Sequence, residues 1–470
     1  MSDLLIETAS GAVIDLYPLT ESALTPFLEQ QGALLARLVQ LAGFKAKTGQ
    51  VLLAPGEDGA ADVALFGLGA GAEAMAFRAL PARLPPGDYR LAVQPEGMAP
   101  AAIALAWALG GYAFERYRKP RKEPWPRLVM EGGTDLAEAR AIARGCALAR
   151  DLINTPPNDL GPVQLEMAAR ETAEAFGATI SVITGDALLE AGYPAVHAVG
   201  RAADVTRAPR MIEIHWPGSG GNEPGGEAAA PLVALIGKGV VFDTGGLDLK
   251  PSAGMRLMKK DMGGAAHVLG LAQMVMAARL PVRLVVLLPV VENAVSGDAM
   301  RPGDVIASRK GLSIEIGNTD AEGRLILADA LTRAGELEPD LTLDLATLTG
   351  AARAALGPQV IPFYTADDDL AGDIARAGAV AADPVWRMPL WGGYEEALDS
   401  DIADLKNDPD GWAQAGSVTA ALFLQRFAPK GAWAHFDIFA WNPKGRPGYP
   451  AGAEAQTIRA LYAMLKGRYS

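Results

Sequence analysis

Residues 318–325 read NTDAEGRL, with Asp320 and Glu322 two positions apart and Arg324 two further on. Two other stretches carry related chemistry. The run LIGKGVVFDTGGLDLKPSAGM (235–255) delivers Lys238, Asp243, the pair Gly245-Gly246 and Lys250, and MKKDMGGAAHVLG (258–270) places Asp261 just before Gly263-Gly264. Carboxylates a few ångströms apart repel one another, so a cluster of four needs a neutralising partner. Two divalent cations about 3.5–4 Å apart would supply it, and would also polarise a carbonyl and acidify a water. The chain has four histidines (His197, His215, His267, His435) and one cysteine, Cys146. None forms a pair at ligand spacing, and H-E-x-x-H is absent, so such a site must be built mainly from oxygen ligands. Any one of these acids alone reads equally well as a helix cap or a partner for a nearby lysine. Capping, however, does not require glycine pairs beside the acids.

These residues need elements to hold them. From 160 onward the chain alternates helical runs with apolar strand-like runs: VQLEMAARETAEAFG, TISVITG, RMIEIHW, LVALIGKGVVF, a helix over 262–279, RLVVLLPVV, LSIEI, a helix over 325–336 and LTLDLATL. A helix over 417–428, AWAHFDIFAW and a helix over 454–467 complete the series. Apolar strands between amphipathic helices predict an α/β domain with a mostly parallel central sheet flanked by helices. Ligands of such sheets bind beyond the carboxyl ends of the strands, and all three charged stretches leave strands or open helices there. Before 130, the runs VLLAP, VALFGLG and YRLAVQ alternate with helical ones, including one over 100–118, and predict a smaller α/β domain. The amphipathic stretch 135–153 ends in NTPPNDLGP, a helix breaker. The expected organisation is therefore an N-terminal α/β domain (1–133), a connecting helix (134–154) and a larger catalytic domain (155–470). The Gly-rich stretch 217–230 reads as an exposed excursion.

Composition narrows the function. At 470 residues the chain exceeds one ordinary core. Its net charge of −13 and the absence of any basic cluster longer than RYRKPRK (116–122) argue against a nucleic-acid surface. One cysteine fits a reducing compartment. No basic-then-apolar leader opens the chain, and the longest apolar stretch, AAIALAWALGGYAF (101–114), is too short to cross a bilayer. A cytoplasmic protein without a membrane partner is the expectation.

The strings GKGVVFDTGGLDLKPSAGMRLMKKDMGGAA and NTDAEGRLILADAL resemble the two signature blocks of the leucyl (cytosol) aminopeptidase family, and the 59-residue step from Asp261 to Asp320 matches the family's spacing. RDLINTPPND, VENAVSGDAMRPGDV, DLATLTGA and AWAHFDIFAW resemble further family segments across the C-terminal two-thirds, and ALGGYAFERYRK one near the end of the N-terminal domain. The resemblance implies a hydrolase that releases N-terminal residues from peptides with a free N-terminus, through attack of a hydroxide bridging two metal ions. It places Lys238, Asp243, Asp261 and Glu322 on one metal and Asp243, Asp320 and Glu322 on the other. It makes Lys250 the oxyanion stabiliser and gives Arg324 a bicarbonate ion that carries protons. It puts Met258, Thr347, Leu348 and Gly350 against the substrate, and implies a homohexamer. The oxygen-rich set accepts manganese, zinc, magnesium or cobalt. For Met258 an ordinary core methionine is the competing reading.

Another two-metal hydrolase, an amidase or phosphoesterase, is the alternative enzyme, and a non-catalytic scaffold on the same fold is the alternative outside enzymology. GLGAGA (67–72), with Asp88 downstream, fits a dinucleotide loop only loosely and reads instead as a strand-to-helix turn. His435 reads as a hydrogen-bonded core histidine, and the acid-rich stretch 399–416 as a solvated loop.

Overall fold

The computed structural model describes residues 4–9, 11–56, 61–71, 73–130, 135–218, 230–409 and 414–470. It divides into two compact units, Met1–Ala147 with Lys444–Gly452 and Leu148–Pro443 with Ala453–Ser470. The stretch 217–230 lies almost wholly outside the described residues.

Among the described residues of the smaller unit, six strands form one sheet in the order Leu5–Ile6, Arg127–Val129, Asp88–Leu91, Val13–Thr20, Ala61–Gly69, Val51–Pro55. All pairs are parallel except the last. Helix Pro100–Gly110 is apolar on all sides and buries Ile103, Trp107 and Leu109. The sequence carries this helix to 118; it stops at Gly110-Gly111, because glycine disfavours the helix before the downstream prolines are reached. Asp88, the acid of the dinucleotide alternative, is buried and accepts two bonds from Arg127, at 2.7 and 2.9 Å. It is a structural ion pair within the sheet.

The larger unit is built on a sheet that runs Val385–Arg387, Ile361–Tyr364, Ala432–Asp437, Leu341–Ala346, Leu232–Gly237, Arg283–Asn293, Arg210–Trp216, Thr179–Thr184, with Gly239–Asp243 added beside Arg283–Asn293. The four strands from Ala432–Asp437 to Arg283–Asn293 are mutually parallel, so their carboxyl ends share one edge. Their residues are almost continuously buried, as expected of a parallel sheet covered on both faces. Helix Gly263–Ala277 packs on strands 232–237 and 341–346 and on helix Ile458–Tyr469, while helix Glu322–Glu336 packs on strand 283–293 and on helices Pro194–Gly200 and Gly416–Gln425.

Local departures from the sequence reading have physical causes. The run LVALIGKGVVF is two strands, Leu232–Gly237 and Gly239–Asp243, with Lys238 between them, its N–H still donating to the Leu345 carbonyl at 3.1 Å. Residues 258–262 form a 3₁₀ turn ahead of the helix at Gly263. Strand Ile361–Tyr364 and helix Asp368–Val380, capped by Asp367 accepting from Leu370 N, escaped the sequence reading. The stretch 399–416 is not simply a solvated loop. Leu405–Lys406 pairs with Ser313–Glu315, and Asn407 is fully buried; residues 410–413 lie outside the described set. No helix among the described residues is long and apolar enough to cross a membrane.

Candidate metal centre

The carboxyl edge of the four parallel strands gathers the charged residues. Lys238 follows strand Leu232–Gly237, Asp243 ends strand Gly239–Asp243, Asp261 lies in the 3₁₀ turn, and Glu322 opens helix Glu322–Glu336. Gly245 and Gly246 both adopt left-handed backbone (φ +90° and +66°), which folds the chain after Asp243 back so that Lys250 returns to the carboxylates. Asp243, Asp320 and Glu322 can each offer one oxygen with all three within 4.8 Å of one another.

Two ammonium groups lie among these acids. Lys238 Nζ is 2.7 Å from Asp261 Oδ2 and 2.9 Å from Glu322 Oε1, and donates to the Thr347 carbonyl at 3.2 Å. Lys250 Nζ is 2.7 Å from Asp243 Oδ2 and also contacts Asp320. The acids are braced from behind. Asn293 Nδ2 lies within donating reach of Asp243 Oδ1 (2.9 Å), the Thr319 carbonyl (3.1 Å) and Glu322 Oε2 (3.4 Å). Thr347 Oγ1 donates to Asp261 Oδ1 at 2.8 Å, and Gly245 N to Asp243 Oδ1 at 2.9 Å.

Charge balance explains the titration. Burial pulls the Lys238 ammonium towards neutrality, but Asp261, Glu322 and Asp243 outweigh it and hold its pKa above the ordinary lysine range. Lys250 is raised in the same way against burial, chiefly by Asp243. Glu322 is pushed up to about 8, and Asp320 to about 6, each first by burial and then by the Asp243 carboxylate. The site thus carries more buried negative charge than its two lysines relieve. Crowded carboxylates with a lysine amine among them fit divalent cations of hard to borderline character.

The acids open onto a cleft of about 550 Å³. Met258, Thr347, Leu348 and Gly350 all line it, together with Ile438 and Phe439. Asp437 fixes one wall: its Oδ1 accepts from Leu348 N (3.0 Å) and Thr349 N (3.1 Å), and its Oδ2 from Thr349 Oγ1 (2.6 Å). Arg324, in the first turn of helix Glu322–Glu336, is buried and donates from Nη1 to the Asn407 carbonyl at 2.6 Å. Its Nε is buried without a protein partner among the described residues. Asn407 also accepts from Gly317 N and Asn318 N and donates to the Asn318 carbonyl, clamping the loop that carries Asp320. His435 is a core residue, with Nδ1 2.5 Å from Asp344 Oδ1, whose other oxygen accepts from Trp433.

Sequence reasoning missed Asn293, Asn407, Asp437 and Phe439. The signal for Asn293 was a polar residue closing an apolar strand, a fourth exit on the same edge. Asn407 was hidden in an acid-rich stretch, and Asp437 in an apolar one.

Comparison with known proteins finds one family along most of the chain. The catalytic domain of the cytosol aminopeptidase family matches residues 147–462, and the M17 aminopeptidase N-terminal domain matches residues 14–131. A probable cytosol aminopeptidase of Syntrophotalea carbinolica is 40% identical over 94% of this chain and 94% of its own. The crystal structure of a cytosol aminopeptidase from Coxiella burnetii superposes with a TM-score of 0.91 at 41% identity, covering 99% of this chain and 100% of that one. The bottromycin maturation enzyme BotP in complex with Mn superposes with a TM-score of 0.84 at 34% identity, covering 98% and 100%.

Proposed function

The chain belongs to the cytosol aminopeptidase family and is a metal-dependent exopeptidase, and from that premise we propose that it releases the first residue of peptides using two divalent cations. The observation that carries this is the convergence of Asp243, Asp320 and Glu322 on one point of the cleft, with Asp261 and Lys238 beside them. Lys238, Asp243, Asp261 and Glu322 would hold one cation, and Asp243, Asp320 and Glu322 the other. Manganese and zinc are the leading candidates, with magnesium and cobalt also compatible with the donors; the BotP relative was solved with Mn. When bound, the cations supply Lewis acidity towards the scissile carbonyl and acidify the attacking water.

The chain's own groups do the rest. Asp261, held by Thr347, receives the free α-amino group of the substrate, which makes an unblocked N-terminus a requirement. Lys250, kept cationic by Asp243, faces the scissile carbonyl and stabilises the developing oxyanion. Arg324 offers its unpartnered Nε to a small anion, which suits bicarbonate as the proton carrier between water and leaving amine. Met258, Thr347, Leu348 and Gly350 wall the substrate. The catalytic domain is 155–470, preceded by the 134–154 helix and the 1–133 domain. A homohexamer in the cytoplasm completes the reading, and light scattering on the purified chain measures the assembly.

The test is hydrolysis of leucine p-nitroanilide beside its N-acetylated form, with and without Mn²⁺ and after chelation. Cleavage of the free amine alone, abolished by chelator and restored by metal, is expected. Equal cleavage of both forms would replace the amine-anchored reading with an amidase.

A further inference from the structure

The cleft contains two cations for which the metal centre has no use. Of its charged lining residues, Lys238, Asp243, Lys250, Asp261 and Asp320 belong to the centre; Lys260 and Arg353 do not. Both lie near one aromatic ring. Lys260 Nζ lies 5.5 Å and Arg353 Cζ 4.9 Å from the centroid of Phe439, itself a lining residue.

Neither cation is fully answered by protein. Lys260 is only 6% exposed, yet its nearest carboxylate oxygen is Asp261 Oδ1 at 3.7 Å, beyond hydrogen-bond distance, and that oxygen already accepts from Thr347 at 2.8 Å. Arg353, on helix Gly350–Leu356 at the rim, forms no ion pair among the described residues. A buried ammonium lacking a closely bonded anion is costly, and cation–π contact with one phenylalanine recovers only part of that.

We propose that Lys260 and Arg353 form an acid-selecting pocket, so that the enzyme prefers peptides whose first residue is glutamate or aspartate. This rests on the reading of Asp261 as the amine anchor. Lys260 precedes Asp261 in the same 3₁₀ turn and its Nζ lies 3.7 Å from Asp261 Oδ1, so a substrate residue whose amine Asp261 holds sits beside Lys260. The methylenes of a glutamyl side chain pack on Met258, Ile438 and Phe439, and its carboxylate meets the Lys260 ammonium, with the Arg353 guanidinium adding positive charge near the same ring. A leucyl side chain fills the apolar part but leaves both cations unpaired, and a lysyl or arginyl side chain meets like charge. The C-terminal carboxylate of a dipeptide is the other carboxylate a substrate could bring. It lies on the leaving side of the scissile bond, away from the anchored residue.

The experiment compares kcat/KM of the metal-loaded full chain on glutamyl, aspartyl, leucyl and lysyl p-nitroanilides, which lack a peptide carboxylate, and on Leu-Gly. The expected result is a glutamyl or aspartyl preference over leucyl of at least about tenfold. In Lys260→Met and Arg353→Leu the glutamyl value falls about tenfold or more, mainly through KM, while the leucyl value rises. A native enzyme that favours the leucyl substrate overturns the inference and leaves the aminopeptidase reading intact. So does a loss in both variants confined to Leu-Gly, which would give the cations to the C-terminal carboxylate. Cleavage of no free-amine substrate by folded, metal-loaded protein overturns the reading and this inference with it.

Discussion

Gly323 lies against the side chain of Lys238 so closely that a Cβ at 323 would stand 2.6 Å from Lys238 Cε and 2.7 Å from Nζ. Alanine is the better helix former by about 1 kcal/mol, so a glycine in this first helical turn is explained by what it faces. Gly323→Ala is expected to push the amine out from between Asp261 and Glu322. Mn²⁺ affinity, measured calorimetrically, should drop about tenfold or more, while far-UV circular dichroism stays native. Unchanged affinity would remove Lys238 from the metal set.

Asn293 is the brace shared by Asp243 and Glu322, the two carboxylates proposed to bridge the cations. Outer partners of this kind orient ligands without touching the metal. Asn293→Ala should therefore weaken metal binding by about 10–100-fold and lower activity at limiting Mn²⁺, with recovery at high Mn²⁺. A loss of activity that excess metal cannot restore would show that Asn293 acts elsewhere.

Asp437 holds the proposed substrate wall through its bonds to Leu348 and Thr349. Asp437→Ala leaves those donors unsatisfied and frees the loop that presents Leu348 and Gly350. The expected signature is a KM raised about tenfold, equivalent to about 1.4 kcal/mol, with a smaller change in kcat. Asp437→Asn keeps an acceptor at Oδ1 and should retain most of the affinity. A kcat loss with KM unchanged in both variants would place Asp437 in the chemical step instead.

These positions differ in how plainly the sequence announces them. Lys238, Asp243, Asp261, Asp320 and Glu322 were legible as candidates because charge beside glycine at strand ends and helix starts points to the carboxyl edge of a parallel sheet. The strands were legible because continuous apolar runs such as RLVVLLPVV have few other folds open to them. Asn293 and Asp437 were not, since one polar residue closing a strand is the ordinary pattern of a cap. Ile361–Tyr364 is too short to show a period. Asn407 acts through its backbone carbonyl and amide group on residues some ninety positions away, a relationship that local sequence cannot carry. Lys260 is a subtler case: nothing in MKKDM sets it apart from Lys259, and only the folded 3₁₀ turn shows it buried beside Phe439.

Stability should also respond to pH through His267, fully buried in helix Gly263–Ala277, where burial outweighs the opposing pull of Asp383 and Glu454. Its Nδ1 donates to the Gly263 carbonyl at 2.6 Å and its Nε2 accepts from Gln456 N at 2.9 Å, so only the neutral ring satisfies both partners. Burial accordingly pushes its pKa down from 6.5 to about 4. Between those values the unfolded chain binds the proton and the folded chain does not, so folding stability rises with pH across the window. The contribution is fully present above pH 6.5 and is lost as pH falls towards 4, amounting to at most about 3 kcal/mol. Carboxylates titrate in the same range, so the comparison must be between chains. Denaturant melts from pH 7 to pH 4 should show native protein losing up to about 3 kcal/mol more than His267→Gln, the variant being less stable at pH 7 and converging on the native chain at pH 4. Parallel losses in the two proteins would mean that His267 takes up a proton in the folded state, and that the Gln456 N–H does not hold it neutral.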